Sequence, residues 1–90
     1  MNVKEAVARA REYVLDLFSE DGISNLALEE IEFDEGSGEW RITLGFSRPW
    51  EHPLGGSLMT HQPRRSYKLV RIADQSGAVL SVKNREMVAS

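Results

Sequence analysis

Apolar and polar side chains alternate with a period of two along Glu39-Trp40-Arg41-Ile42-Thr43-Leu44-Gly45-Phe46. Trp40, Ile42, Leu44 and Phe46 fall on one side, and Glu39, Arg41, Thr43 and Gly45 on the other, the pattern of a strand with one buried and one wet face. A covering layer is required for so large an apolar face. Val3, Val7, Ala10, Val14, Leu17 and Phe18 recur at three- and four-residue spacing, which predicts an amphipathic helix over residues 3–19. Asn2 with Glu5 three residues on has the form of a capping box, and Ser19-Glu20-Asp21-Gly22 supplies a stop.

Leu26-Ala27-Leu28-Glu29-Glu30-Ile31-Glu32-Phe33 is strand-like but changes phase, since Leu26 and Leu28 share one parity and Ile31 and Phe33 the other. A bulge near Glu29-Glu30 would turn both pairs to the core, because one extra residue resets the alternation; a short connector followed by a short strand is the alternative. Asp34-Glu35-Gly36-Ser37-Gly38 reads as the hairpin turn into the central strand. The stretch 65–73 resumes as a strand whose buried face is ambiguous, with Tyr67 and Leu69 on one parity and Val70 and Ile72 on the other. Asp74-Gln75-Ser76-Gly77 is a tight turn, and a last strand over 78–83 is predicted to point Ala78, Leu80 and Val82 inward. Residues 84–90 read as a loosely held tail. Short turns between successive strands imply antiparallel pairing, so the expected fold is α+β: one N-terminal helix on a four-stranded antiparallel meander.

The hairpin Ser66-Tyr67-Lys68-Leu69-Val70-Arg71-Ile72-Ala73-Asp74-Gln75-Ser76-Gly77-Ala78-Val79-Leu80-Ser81-Val82 resembles the closing hairpin of PepSY-type domains, in which an Asp-x-x-Gly turn leads into a short Gly-x-Val-Leu strand. With the helix and the Trp40–Phe46 strand, the layout is also similar to the gas-vesicle accessory protein O family. The PepSY resemblance implies a small binding or inhibitory module; neither resemblance transfers functional residues to this chain.

At 90 residues the chain makes one domain with one small core, and 41% hydrophobic with 28% charged residues is ordinary for a folded protein. No cysteine is present, which removes a disulfide framework, a thiolate nucleophile and a Cys-based zinc site. The N-terminal residues lack a basic region followed by an apolar run, and no stretch approaches the roughly 18 apolar residues of a membrane span, so a cytoplasmic protein without a membrane partner is expected. The net charge of −3 disfavours a nucleic-acid partner, yet it is divided unevenly, −7 over residues 1–45 and +4 over 46–90. Such a dipole can steer a partner or a second copy, or simply neutralise itself across one sheet.

Between Phe46 and the next strand runs a long connection, residues 47–64, with all three prolines, Gly55-Gly56 and both histidines. His52, His61 and Glu51 could in principle ligate zinc, but nine-residue spacing in a Pro/Gly loop does not orient ligands. Gly55-Gly56-Ser57 lacks the lysine of a phosphate-cradling loop. The run Glu29, Glu30, Glu32, Asp34, Glu35 lacks calcium-loop spacing and reads as a solvated strand edge. Arg64, Arg65, Lys68 and Arg71 cluster beside Tyr67, as ordinary surface charge rather than as a nucleic-acid contact, given the acidic total and the absence of a second aromatic platform. Trp50, Leu54, Leu58 and Met59 either cover the bare face of the sheet or anchor a partner. No catalytic residue, cofactor site or metal site is nominated. The expected function is therefore a non-enzymatic interaction or regulatory module for an unknown protein partner or for self-association, with candidate interaction residues Trp50, Leu54, Leu58, Met59, Arg64, Arg65 and Tyr67. The alternative is a small-ligand binding protein or minor enzyme with a pocket between the 47–64 loop and the sheet, using His52 or His61.

Overall fold

A computed structural model describes residues 1–49 and 65–86. Helix α1, Val3–Leu17, and one 3₁₀ turn, Ser19–Asp21, precede four strands: β1, Ser24–Asp34; β2, Glu39–Ser47; β3, Ser66–Ala73; and β4, Val79–Asn84. Every strand pairs antiparallel with its sequence neighbour in the order β1-β2-β3-β4. The fold is thus the α+β meander expected from the pattern. Among the described residues no helix is long and apolar enough to cross a membrane.

The helix begins on the capping box: the Asn2 side chain accepts from the Glu5 amide, and the Glu5 carboxylate accepts from the Asn2 amide, both at 2.8 Å. The buried stripe differs from the expected one. Ala6, Ala10 and Val14 are fully buried, whereas Val3 and Leu17 are half-exposed. An i, i+4 row of two alanines and a valine lets the helix axis approach β2 and β3 closely, and the larger residues flanking that row are left outside it. The core comprises this row with Trp40, Ile42, Leu44 and Phe46 of β2 and Val70 and Ile72 of β3. Val70 and Ile72 face the helix because they lie opposite Ile42 and Trp40, which settles the parity of β3.

Both outer strands carry an irregularity that brings apolar residues to the helix side. In β1 the register slips between Leu28 and Glu30, so that Leu28 lies opposite Leu44 and Ile31 opposite Ile42. One extra residue, Glu29, accounts for the change of phase in the sequence. In β4 the register slips between the partners of Arg71 and Ile72, so Val79 and Val82 pack on the core while Leu80 is half-exposed. Leu80 is therefore not an inward residue, contrary to the simple alternation of 78–82. A second difference lies at the chain's end. Asn84 belongs to β4, and the Arg85 amide donates to the Tyr67 carbonyl at 2.9 Å, extending the ladder beyond the strand.

The two hairpin turns meet at one end of the sheet. Asp34 accepts from the Gly36 amide and the Ser37 hydroxyl, which holds its carboxyl below the usual aspartate range. Asp74 accepts from the indole of Trp40 at 2.9 Å, which lowers its pKa in the same sense. Gly22, Gly38 and Gly77 adopt positive φ at the ends of the 3₁₀ turn and of the two hairpins.

Candidate polar face and cationic cleft

The face of the sheet turned away from the helix is not the wet surface that alternation predicts. Glu39 and Thr43 are buried there, at 3% and 0% exposure. Long side chains from the neighbouring strands close over them. Arg71 grips Glu39 with two hydrogen bonds, Nη2 donating to Oε1 at 2.7 Å and Nε to Oε2, and Arg41 lies 3.4 Å from the same carboxylate. Arg41 also reaches Asp34 at 2.8 Å. The paired hydrogen bond from Arg71 holds the Glu39 pKa down at about 2, against the desolvation that would raise it. This half of the face is a closed ion network.

At the other end of the same face the β1 bulge acquires a consequence. Side chains at the two residues of a bulge project to the same side of the sheet. Here Glu30 lies opposite Thr43, and the Glu29 carboxylate reaches over Gly45. Each glutamate holds an arginine: Glu29 faces Arg65 at 3.4 Å, and Glu30 faces Arg85 at 2.7 Å. Arg65 also donates through Nη2 to the Asn25 carbonyl at 2.9 Å, and Arg85 through Nη1 to the Thr43 hydroxyl at 2.6 Å.

These arginines border a cleft of about 560 Å³ lined by Arg48, Arg65, Ser66, Tyr67, Lys68, Asn84, Arg85 and Glu86. Alternation along β3 sends Arg65 and Tyr67 to the helix-free side and Ser66 and Lys68 to the helix side, so the cleft wraps the end of the sheet. On the helix side two of its cations rest on an aromatic pair. The rings of Phe18 and Phe46 lie 5.4 Å apart, the Arg48 guanidinium sits 5.4 and 5.2 Å from them, and the Lys68 ammonium 5.3 Å from Phe18. Lys68 also donates to the Asn84 side chain, and Arg48 to the Ser66 hydroxyl at 3.1 Å.

No protein-family model matches the chain, and neither the curated proteins nor the solved structures contain a match. The site has to be judged on its own geometry.

Of the candidate interaction residues, Arg65 and Tyr67 are brought together in the cleft. Trp50, Leu54, Leu58, Met59 and Arg64 lie outside the described residues, as do Glu51, His52, His61 and Gly55-Gly56-Ser57. The basic cluster suggested by the sequence is divided: Arg65 and Lys68 border the cleft, while Arg71 is committed to Glu39. Arg48 and Arg85 were not singled out from the sequence. They join the cleft through the pairing of β2 with β3 and of β3 with β4, and short-range spacing carries no trace of that. The acidic run lies on the edge strand β1, where Glu29, Glu30 and Glu32 are exposed, and it also serves as counter-charge, with Glu29, Glu30, Glu32 and Asp34 each paired to an arginine. Among the described residues no group of three or more His, Asp or Glu side chains could hold a metal ion.

Gly45 is what lets the Tyr67 ring and the Glu29 carboxylate share this face. A Cβ at position 45 would lie 2.7 Å from Glu29 Oε2 and 2.9 Å from Tyr67 Cε1. Gly45→Ala is expected to cost about 1–3 kcal/mol despite alanine's better strand propensity, because a ring must shift within a packed face. Urea denaturation measures the loss. Displaced Tyr67 aromatic resonances would place its origin, and a variant as stable as the parent, with Tyr67 unmoved, would show that the face has room to spare.

Proposed function

We propose that this protein is a small cytoplasmic, non-enzymatic interaction module whose binding surface is the cationic end of the sheet. The observation that supports this most is the convergence of Arg48, Arg65, Lys68 and Arg85 with Tyr67 around one open cleft. Segment 50–64, which carries Trp50, Leu54, Leu58 and Met59, lies in the sequence between Arg48 and Arg65, two residues of that cleft. Arginine, tyrosine and tryptophan are the residue types enriched at protein interface hot spots. A binding or inhibitory role of this kind is also what a PepSY-like module would perform.

A second use of the same cleft, binding of a small ligand, is favoured by its volume, which falls within the range of about 300–1,000 Å³ typical of ligand pockets.

Site-specific photo-crosslinking separates the two. A photoreactive residue at position 67 is expected to capture a defined protein or a second copy of the chain, while the same group at Gln75, at the opposite end of the sheet, captures none. Trp50→Ala should reduce the capture without lowering the thermal midpoint. Equal capture from both ends, or unfolding of the Trp50 variant, would overturn the module in its proposed form. Capture abolished by an excess of low-molecular-weight cell extract would favour the small ligand.

A further inference from the structure

We infer that the cleft is an oxyanion site built on two anchored guanidinium groups, Arg65 and Arg85, and that its occupant is the side-chain carboxylate of an acidic polypeptide segment. This rests on the interaction-module function and names the chemistry its partner would carry. The geometry of anchoring is the starting point. Among the described residues Arg65 uses only Nη2, toward Asn25 and Glu29, and Arg85 only Nη1, toward Thr43 and Glu30. Each guanidinium is thus held from behind by one terminal nitrogen. Arg85 keeps Nε and Nη2, the adjacent donors that make a side-on fork to a carboxylate, whereas Arg65 keeps Nε and Nη1, which diverge and donate singly.

An arginine fixed in this way has already lost much of the rotamer freedom that binding would otherwise remove, so the remaining donors are preorganised for an incoming oxyanion. Spacing comes from the sheet. The Arg85 amide bonds the Tyr67 carbonyl, and Arg65 is two residues before Tyr67 on the same face, so the two guanidinium groups flank one tyrosine. The bulge at Glu29 is what makes the pair possible, because it sets two consecutive carboxylates on one side of β1, one for each arginine.

The charge balance selects the class of ligand. Arg48, Arg65, Lys68 and Arg85 bring four positive charges, and Asp21, Glu29, Glu30 and Glu86 bring four negative charges within or directly behind the cleft. The field of the described residues at a distance is therefore close to neutral, which does not suit a polyanion held by many phosphate contacts and counterion release. Discrete oxyanions that meet the Arg85 fork and the remaining Arg65 donors at contact range suit it well, and glutamate or aspartate side chains of a polypeptide supply them.

The test is an NMR titration of the arginine Nε–H and backbone amide signals with acetyl-tetraglutamate amide, alongside acetyl-tetraglutamine amide, inorganic phosphate and an octathymidine oligonucleotide. The glutamate peptide should shift the Arg65 and Arg85 Nε signals and the Tyr67 and Lys68 amides in a saturable manner, with Kd on the order of millimolar for so short a probe. The glutamine peptide should leave them in place. Arg65→Gln and Arg85→Gln should each weaken the glutamate peptide by roughly tenfold, as for loss of a charge-assisted hydrogen bond, while Arg41→Gln on the same face leaves it unchanged. Because Arg85→Gln also loses the tie to Thr43, Arg65→Gln serves as the variant that leaves that tie intact.

No saturable shift with the peptide, or an affinity unchanged from the parent protein in both arginine variants, would overturn the proposal. Saturation by phosphate alone would overturn it in favour of a small-anion pocket, and saturation by the oligonucleotide alone in favour of nucleic acid. Failure of the module itself has a different signature: the peptide titrates normally while position 67 captures no protein. Capture from position 67 with a flat peptide titration would leave the module standing and remove only the carboxylate.

Discussion

Phe46→Ala is expected to destabilise the protein by about 3–5 kcal/mol, the usual cost of deleting a buried phenylalanine ring. Phe46 is fully buried, closes the core at the end of β2 and packs on Phe18, the residue that caps α1. A domain of this length has a total stability of about 5–13 kcal/mol, so the loss would take from a quarter to nearly all of it. The size of the effect follows from the single helix that lies above the sheet among the described residues. When the ring is removed, collapse of that one helix onto the sheet has to fill the space, and a cavity is expected to persist. Arg48 would also lose aromatic surface beneath its charge, and Phe18, on which Lys68 rests, would lose its ring partner, coupling the core to the cleft. Urea titration followed by circular dichroism measures the shift in midpoint. An unchanged slope would assign it to the native state, and a loss below about 1 kcal/mol would mean that the Phe18–Phe46 pair is not part of the core.

The second large effect concerns Glu39 and Arg71. Arg71→Met leaves a carboxylate with a 4% exposed side chain in contact with Arg41 alone, at 3.4 Å. Breaking one side of a buried pair costs about 3–5 kcal/mol, and the one-third exposure of Arg71 together with the remaining arginine brings the expectation to about 2–3 kcal/mol. Replacing both partners, Glu39→Leu with Arg71→Met, should recover most of the loss, because no charge is then left buried. The pH dependence follows from the lowered pKa. Glu39 titrates at about 2 in the folded protein against an ordinary value of 4.5. Its contribution is therefore complete above about pH 4.5 and is lost as the pH falls toward 2. Glu39→Gln should flatten that arm of the stability curve, leaving the smaller acid sensitivity of Asp34 and Asp74, whose carboxyls are also held below their ordinary values. Denaturation midpoints at pH 7 and pH 3 decide it; an acid arm of equal depth in Glu39→Gln would assign the sensitivity to other carboxylates.

Both effects arise where local pattern and tertiary context meet, and they differ in how far the chain announced them. Phe46 was legible because it ends a run of alternating apolar residues, and alternation over eight residues carries its own meaning. Glu39 occupies an equally regular wet position in that run and is nevertheless buried. The side chains that cover it come from β3, more than thirty residues away, and their reach is set by strand register rather than by sequence spacing.

What the sequence determined by itself is the order of elements, the antiparallel meander and the helix-facing side of β2, with the bulge at Glu29 as one of the two readings it left open. Each depends on periodicity or turn chemistry within a window of about ten residues, where local sterics and burial act together. Tertiary structure alone decided the rest. It selected the Ala6, Ala10 and Val14 row as the helix contact, because close approach favours small residues, and it settled the buried parity of β3 by placing Val70 opposite Ile42. It placed a further bulge in β4 at Leu80, and it brought Arg48, Arg65, Lys68 and Arg85 around one cleft. Those four cations lie on three different segments of the chain, and only pairing of the strands, a long-range choice made by burial of the whole core, gives them a common location.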